Sequence, residues 1–109
     1  CVRMFLKYGV DSIKLNLSGE YITGLPAEFS PMTDAEIAMA VREAKMRHKR
    51  VAAHARSALS VKQCVKHGIE VIYHASFADE EALDMLEANK EKHFVAPGLA
   101  WLIGTSYHA

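Results

Sequence analysis

The sequence predicts an α/β fold, a partial (β/α)8 TIM barrel made of four parallel strands and the helices between them. Three observations predict it. Strand-like and helix-like segments alternate in the order α-β-α-β-α-β-α-β, which favours a parallel sheet with crossover helices. Lys7-Tyr8-Gly9-Val10-Asp11-Ser12-Ile13 and Lys66-His67-Gly68-Ile69-Glu70-Val71-Ile72 repeat one pattern of helix end, glycine and strand start. No glycine-rich phosphate loop follows any strand, which disfavours a doubly wound nucleotide-binding sheet. A complete barrel takes roughly 250 residues. The 109 residues are therefore read as one partial domain, 1–109, about half of a barrel.

Val2 to Tyr8 reads as the last turns of a helix, closed by Gly9 in the left-handed position after it. Val10 to Leu17 alternates and is β-branched enough for a strand. Ser18 to Met32 is a long loop with two glycines and two prolines, and loops of that length tend to carry function. Thr33-Asp34-Ala35-Glu36 is a capping box opening a helix on the stripe Ile37, Ala40, Val41 and Ala44, which ends near Arg47 or His48. Val51 to Ala55 is a short buried strand. Ser57 or Ser60 then caps a helix through Val61, Cys64 and Val65 that closes at Gly68. Ile69 to His74 is the third strand. Ser76-Phe77-Ala78-Asp79 resembles a second capping box, opening a helix through Leu83, Met85, Leu86 and Ala88 to about Lys90. Phe94-Val95-Ala96 is a fourth strand, stopped by Pro97-Gly98. Leu99 to Ala109 is either loop or the start of another helix.

Thirteen basic residues balance thirteen acidic ones, so nothing in the charge favours nucleic acid or an anionic membrane as partner. The run Met46-Arg47-His48-Lys49-Arg50 sits at a predicted helix end, where cations favour the dipole. No apolar run approaches membrane-spanning length. Cys1 and Cys64 have neither metal nor redox spacing and read as reduced thiols of an intracellular, cytoplasmic protein. The chain opens on Cys1 inside a helix and stops without a terminating signal, so it reads as a piece of a longer protein. A leader and a homo-oligomer both stay open.

In parallel α/β folds the site lies at the C-terminal ends of the strands. Three polar residues occupy such ends in apolar runs: Lys14 in Ser12-Ile13-Lys14-Leu15, His54 in Val51-Ala52-Ala53-His54-Ala55-Arg56, and His74 in Val71-Ile72-Tyr73-His74. In a barrel these ends converge on one rim. Neutral imidazole is a good Zn²⁺ ligand. Lysine is not, but a buried lysine has a lowered pKa, and its free amine can take up CO₂ as an anionic carbamate.

These residues carry a resemblance. Gly-Val-Asp-Ser-Ile-Lys, the Thr-Asp-Ala-Glu helix start, Val-Ala-Ala-His-Ala, and Gly-Ile-Glu-Val-Ile-Tyr-His with its acidic helix resemble, in order, the middle of a metal-dependent amidohydrolase-superfamily barrel. The imidazolonepropionase-like and prolidase-like branch, with its dipeptidases and carboxypeptidases, is the most similar. Forty positions separate Lys14 from His54 and twenty separate His54 from His74, in keeping with successive βα units.

The resemblance implies strands 4 to 7 of the barrel. It also implies a binuclear zinc site bridged by carboxylated Lys14, with His54 and His74 as ligands of the second ion. A metal-bridging hydroxide would then hydrolyse an amide, peptide or related C–N bond. The substrate would be a small or dipeptide-like molecule, and other divalent metals tolerate the same ligands. The family's His-x-His pair and catalytic aspartate have no counterpart in these residues and are expected outside them. The isolated 109-residue chain is expected to be inactive. The chain departs from many relatives at Arg56, where they have a second histidine, and at Tyr73-His74-Ala75, where they have Glu-His-Gly. Arg56 is a candidate for bidentate binding of a substrate carboxylate, and Tyr21 and Tyr73 are further candidate substrate contacts.

Two other readings stand beside this one. One is a mononuclear, deaminase-type member of the same superfamily. The other is a non-catalytic βα module, in which Lys14 is a snorkelling surface residue and His54 and His74 are hydrogen-bonded core residues. His48, His67, His93 and His108 fall at helix ends or in loops, so a surface position is expected for them.

Overall fold

A computed structural model describes residues 1–20, 22 and 24–107. Tyr21 and His108 lie outside the described residues. Four strands, β1 (Ser12–Asn16), β2 (Arg50–Ser57), β3 (Val71–Phe77) and β4 (Phe94–Ala96), alternate with helices α1 (Val2–Lys7), α2 (Asp34–Lys45), α3 (Ala58–His67), α4 (Glu80–Ala88) and α5 (Leu99–Tyr107). The sheet order is β1-β2-β3-β4 and every pair is parallel. Strands adjacent in sequence are adjacent in space throughout, with no reversal of order. That is the arrangement of a partial TIM barrel, as expected.

One face of the sheet is covered by helices. Ile13, Leu15, Val51, Ala53, Ala55 and Ile72 pack there with Ile37, Val41, Ala44, Val61, Cys64 and Ile69. α2 and α3 lie on β2, α3 also contacts β3, and α1 and α4 flank them. Burying each Ile or Val here stabilises by roughly 1.5–3 kcal/mol. Burial also pushes the Cys64 thiol up to about 12, so it stays protonated and inert. Cys1, by contrast, is exposed.

The opposite face is open. Ser12, Lys14 and Asn16 are exposed, and Ala52 and Tyr73 are half-buried. In a closed barrel this face points inward.

The helix ends follow the residues that cap them. Thr33 and Glu36 form the expected capping box, with Glu36 N donating to Thr33 Oγ1 and Thr33 N donating to Glu36 Oε2. Ser57 caps α3, and Gly68 closes it at φ 68°. Two expectations are corrected. α4 starts at Glu80 with Asp79 as its cap, because Ser76 is still part of β3 and binds elsewhere. His93 is buried rather than at the surface, since its Nδ1 donates at 2.7 Å to the Ile69 carbonyl, tying the loop before β4 to the start of β3. His48 is exposed as expected, and His67 pairs with Asp34 at 2.8 Å. The open question at residues 99–107 resolves as a helix. No described helix is long and apolar enough to cross a membrane.

Candidate metal centre

β2 brings His54 to the open face near its C-terminal end. There it is 6% exposed and paired in register with Asn16 on β1 and Tyr73 on β3. By that register His74 pairs with Ala55, a residue of the helix-covered face. Simple alternation would therefore separate the two histidines. It does not, because the backbone turns left-handed at His74 (φ 80°) and Ala75 (φ 50°), just where the β2–β3 register shifts. The two rings meet edge to face with centroids 4.8 Å apart. Gly98 backs the His74 ring, since a Cβ there would lie 3.0 Å from Nδ1.

A third group joins them that sequence reasoning missed. Glu20 Oε1 lies 3.2 Å from His54 Nε2, and ligand atoms of Glu20, His54 and His74 all lie within 4.8 Å of one another. The delivery of Glu20 follows from the chain after β1. Leu17 N donates to His54 O at 2.9 Å, so pairing with β2 runs on past Asn16. Ser18 Oγ then accepts from Arg56 N at 2.8 Å, a side chain standing in for the backbone ladder. Gly19 N donates to Phe29 O, and a Cβ on Gly19 would sit 2.1 Å from the Pro26 carbonyl oxygen, so only glycine fits. Ser30 Oγ bonds Ser57 Oγ at 2.6 Å and pins the returning end of the loop to the start of α3. No local sequence pattern marks Glu20, which lies in the loop after β1, a strand whose one candidate ligand is Lys14.

Arg56 is buried at 6% exposure beside this group. Its Nη1 lies 3.5 Å from both Glu20 oxygens, its Nε donates to Ser76 Oγ at 3.3 Å, and its guanidinium lies over the Phe77 and Trp101 rings at 5.4 and 5.7 Å. Lys14 lies on the same open face but is exposed rather than buried, with Nζ 4.8 Å from the centroid of the Tyr73 ring. Burial holds the His74 imidazole below its ordinary pKa. The neighbouring His54, Arg56 and Lys14 push the same way, and Glu20 opposes them. A neutral ring keeps a lone pair for a ligand bond. Two imidazoles and a carboxylate are a donor set that suits Zn²⁺ and related divalent ions, so these residues fit a metal.

Compared with protein families and with curated sequences, the chain matches none. Among solved structures it is similar to a Xaa-Pro dipeptidase with methionine bound in its active site, at TM-score 0.79 and 30% identity over 87% of this chain and 23% of that one. It is similar to an amidohydrolase at TM-score 0.79 and 29% identity, covering 88% of this chain and 23% of that one. A prolidase complexed with N-methylphosphonate-L-proline matches at TM-score 0.79 and 28% identity, with the same coverage of 88% and 23%. The chain thus spans about a quarter of the length of these structures.

Proposed function

We propose that the chain is part of a metal-dependent hydrolase that cleaves an amide, peptide or related C–N bond in a small or dipeptide-like substrate. The observation that carries this reading is the meeting of His54 and His74 at the ends of adjacent parallel strands, against the alternation of β3. Left-handed backbone at a non-glycine residue costs energy, and it is retained here where it aims an imidazole into a cluster of polar groups. Likeness to a dipeptidase, an amidohydrolase and a prolidase supports the same reading.

In this reading His54, His74 and carboxylated Lys14 would hold the zinc. The chemistry zinc would supply there is polarisation of a carbonyl and a lowered pKa of water. The chain's own residues bind and orient the substrate. Tyr73, the register partner of His54, lines the face on which the substrate lies. Arg56 supplies a fixed cation for a substrate carboxylate. The expected proton-shuttling aspartate is not among these residues.

Metal analysis and turnover test the proposal together. The full-length parent protein is expected to hold a pair of zinc ions, to lose metal on Lys14→Ala or His54→Ala, and to hydrolyse Xaa-Pro dipeptides or N-acyl amino acids only when metal is present. A protein without bound metal, whose folding is unchanged by those substitutions, would sink it in favour of the structural βα module.

A further inference from the structure

We propose that Glu20 is itself a metal ligand, completing with His54 and His74 a three-residue divalent-cation site built from this chain alone. This rests on the metal-dependent reading above and adds to it a ligand that neither the resemblance nor strand alternation supplies.

The first argument is distance. Metal–ligand bonds of about 2.0–2.2 Å around a tetrahedral ion place neighbouring ligand atoms about 3.3–3.6 Å apart. The Glu20 Oε1 to His54 Nε2 separation of 3.2 Å is close to that edge. All three residues offer atoms within 4.8 Å, so His74 needs only a small approach.

The second is the crowding of oxygens on one nitrogen. His54 Nε2 faces the Gly19 carbonyl and Glu20 Oε1, each at 3.2 Å. A ring nitrogen carries at most one proton, and both contacts are at the long limit for N–H···O bonds. A divalent ion in place of that proton would engage both the nitrogen and the carboxylate, and metal binding at histidine displaces such protons.

The third is that the placement is built rather than incidental. Gly19 is locked by backbone on which no side chain fits, and Ser18 is tied to Arg56 N. Arg56 faces the carboxylate, with Nη1 3.5 Å from both of its oxygens. It acts on the site through Glu20 as a positioning residue. Two imidazoles and one carboxylate form a ligand set that leaves a coordination position open. Because Glu20 supplies the carboxylate, this site does not depend on carbamate formation at the exposed Lys14.

The test is titration of the metal-free purified protein with Co²⁺, followed by visible absorption, with Zn²⁺ competition for affinity. Glu20→Gln is expected to weaken Co²⁺ binding by about 100-fold and to change the absorption bands, with far-UV circular dichroism unchanged. Glu20→Asp, which withdraws the oxygen by one methylene, is expected to fall between and serves if Glu20→Gln does not fold. Wild-type affinity and spectrum in these variants, with binding lost in His54→Ala, would overturn the role of Glu20 and leave the metal-dependent reading standing. No Co²⁺ binding by the wild-type protein overturns both.

Discussion

The ring of His74 stands 4.8 Å from the ring of His54, although the strand register pairs His54 with Tyr73 and His74 with Ala55. The left-handed backbone at His74 and Ala75 resolves the conflict. It turns one side chain across the sheet at the point where β3 ends its regular pairing with β2.

This makes the backbone at position 74 separable from its side chain. Asparagine enters the left-handed region readily, and β-branched residues do so poorly. His74→Asn is expected to leave unfolding stability within about 0.5 kcal/mol, whereas His74→Val should lose about 2 kcal/mol. Urea unfolding of the two variants measures the difference. Equal stabilities would mean that the backbone is not held left-handed in solution.

Gly19 is constrained for another reason, the approach of backbone to backbone. A Cβ at this position meets the Pro26 oxygen at 2.1 Å and the Leu25 oxygen at 2.8 Å, and neither can rotate away. Gly19→Ala is expected to cost about 2–3 kcal/mol and to displace Glu20 from His54. A lowered urea midpoint together with weakened Co²⁺ binding reports both effects. An unchanged midpoint would show that the loop takes another path.

Much of this was legible in the sequence, for physical reasons that differ by element. The alternation of strands and helices, the Thr33–Glu36 capping box and the left-handed Gly68 are local signals written in a few adjacent residues. His54 and His74 were legible because strand ends in parallel α/β folds converge. Glu20 was not. Its position depends on Gly19 packing against Pro26 and Leu25, a contact with no periodicity to read. The burial of His93 was hidden likewise, since it follows from one hydrogen bond to a residue far away in the chain. Arg56 was marked as a departure from relatives, but its contacts with Ser76, Phe77 and Trp101 needed the third dimension.

Acid sensitivity is expected at the junction of α1 and α2. Hydrogen bonds from Arg3 and then from Arg47 hold the Glu43 carboxyl down at about 2, against an ordinary value of 4.5. A carboxylate whose folded pKa is depressed binds fewer protons than in the unfolded chain. The stability it contributes is thus present above about pH 4.5 and is lost as pH falls toward about 2. Asp34, held at about 2 by Lys66 and His67, adds to the same trend. Glu43→Gln should flatten the fall of the urea midpoint across that acid range. A slope identical to wild type would mean that the Arg3–Glu43 pair does not persist in solution.

Arg56 offers the sharpest test of how the site is held together. Its guanidinium is buried, faces both Glu20 oxygens and lies over Phe77 and Trp101. Removing it takes one cation away from the half-buried Glu20 charge and from both rings. Arg56→Met is therefore expected to cost about 2–3 kcal/mol. Arg56→Lys should recover little of that, because a point ammonium cannot bond Ser76 and Glu20 while lying flat on the rings. Trp101 is the single tryptophan, so its emission reports the change directly and should alter in both variants. Full recovery of stability and emission by lysine would reduce the role of Arg56 to charge alone.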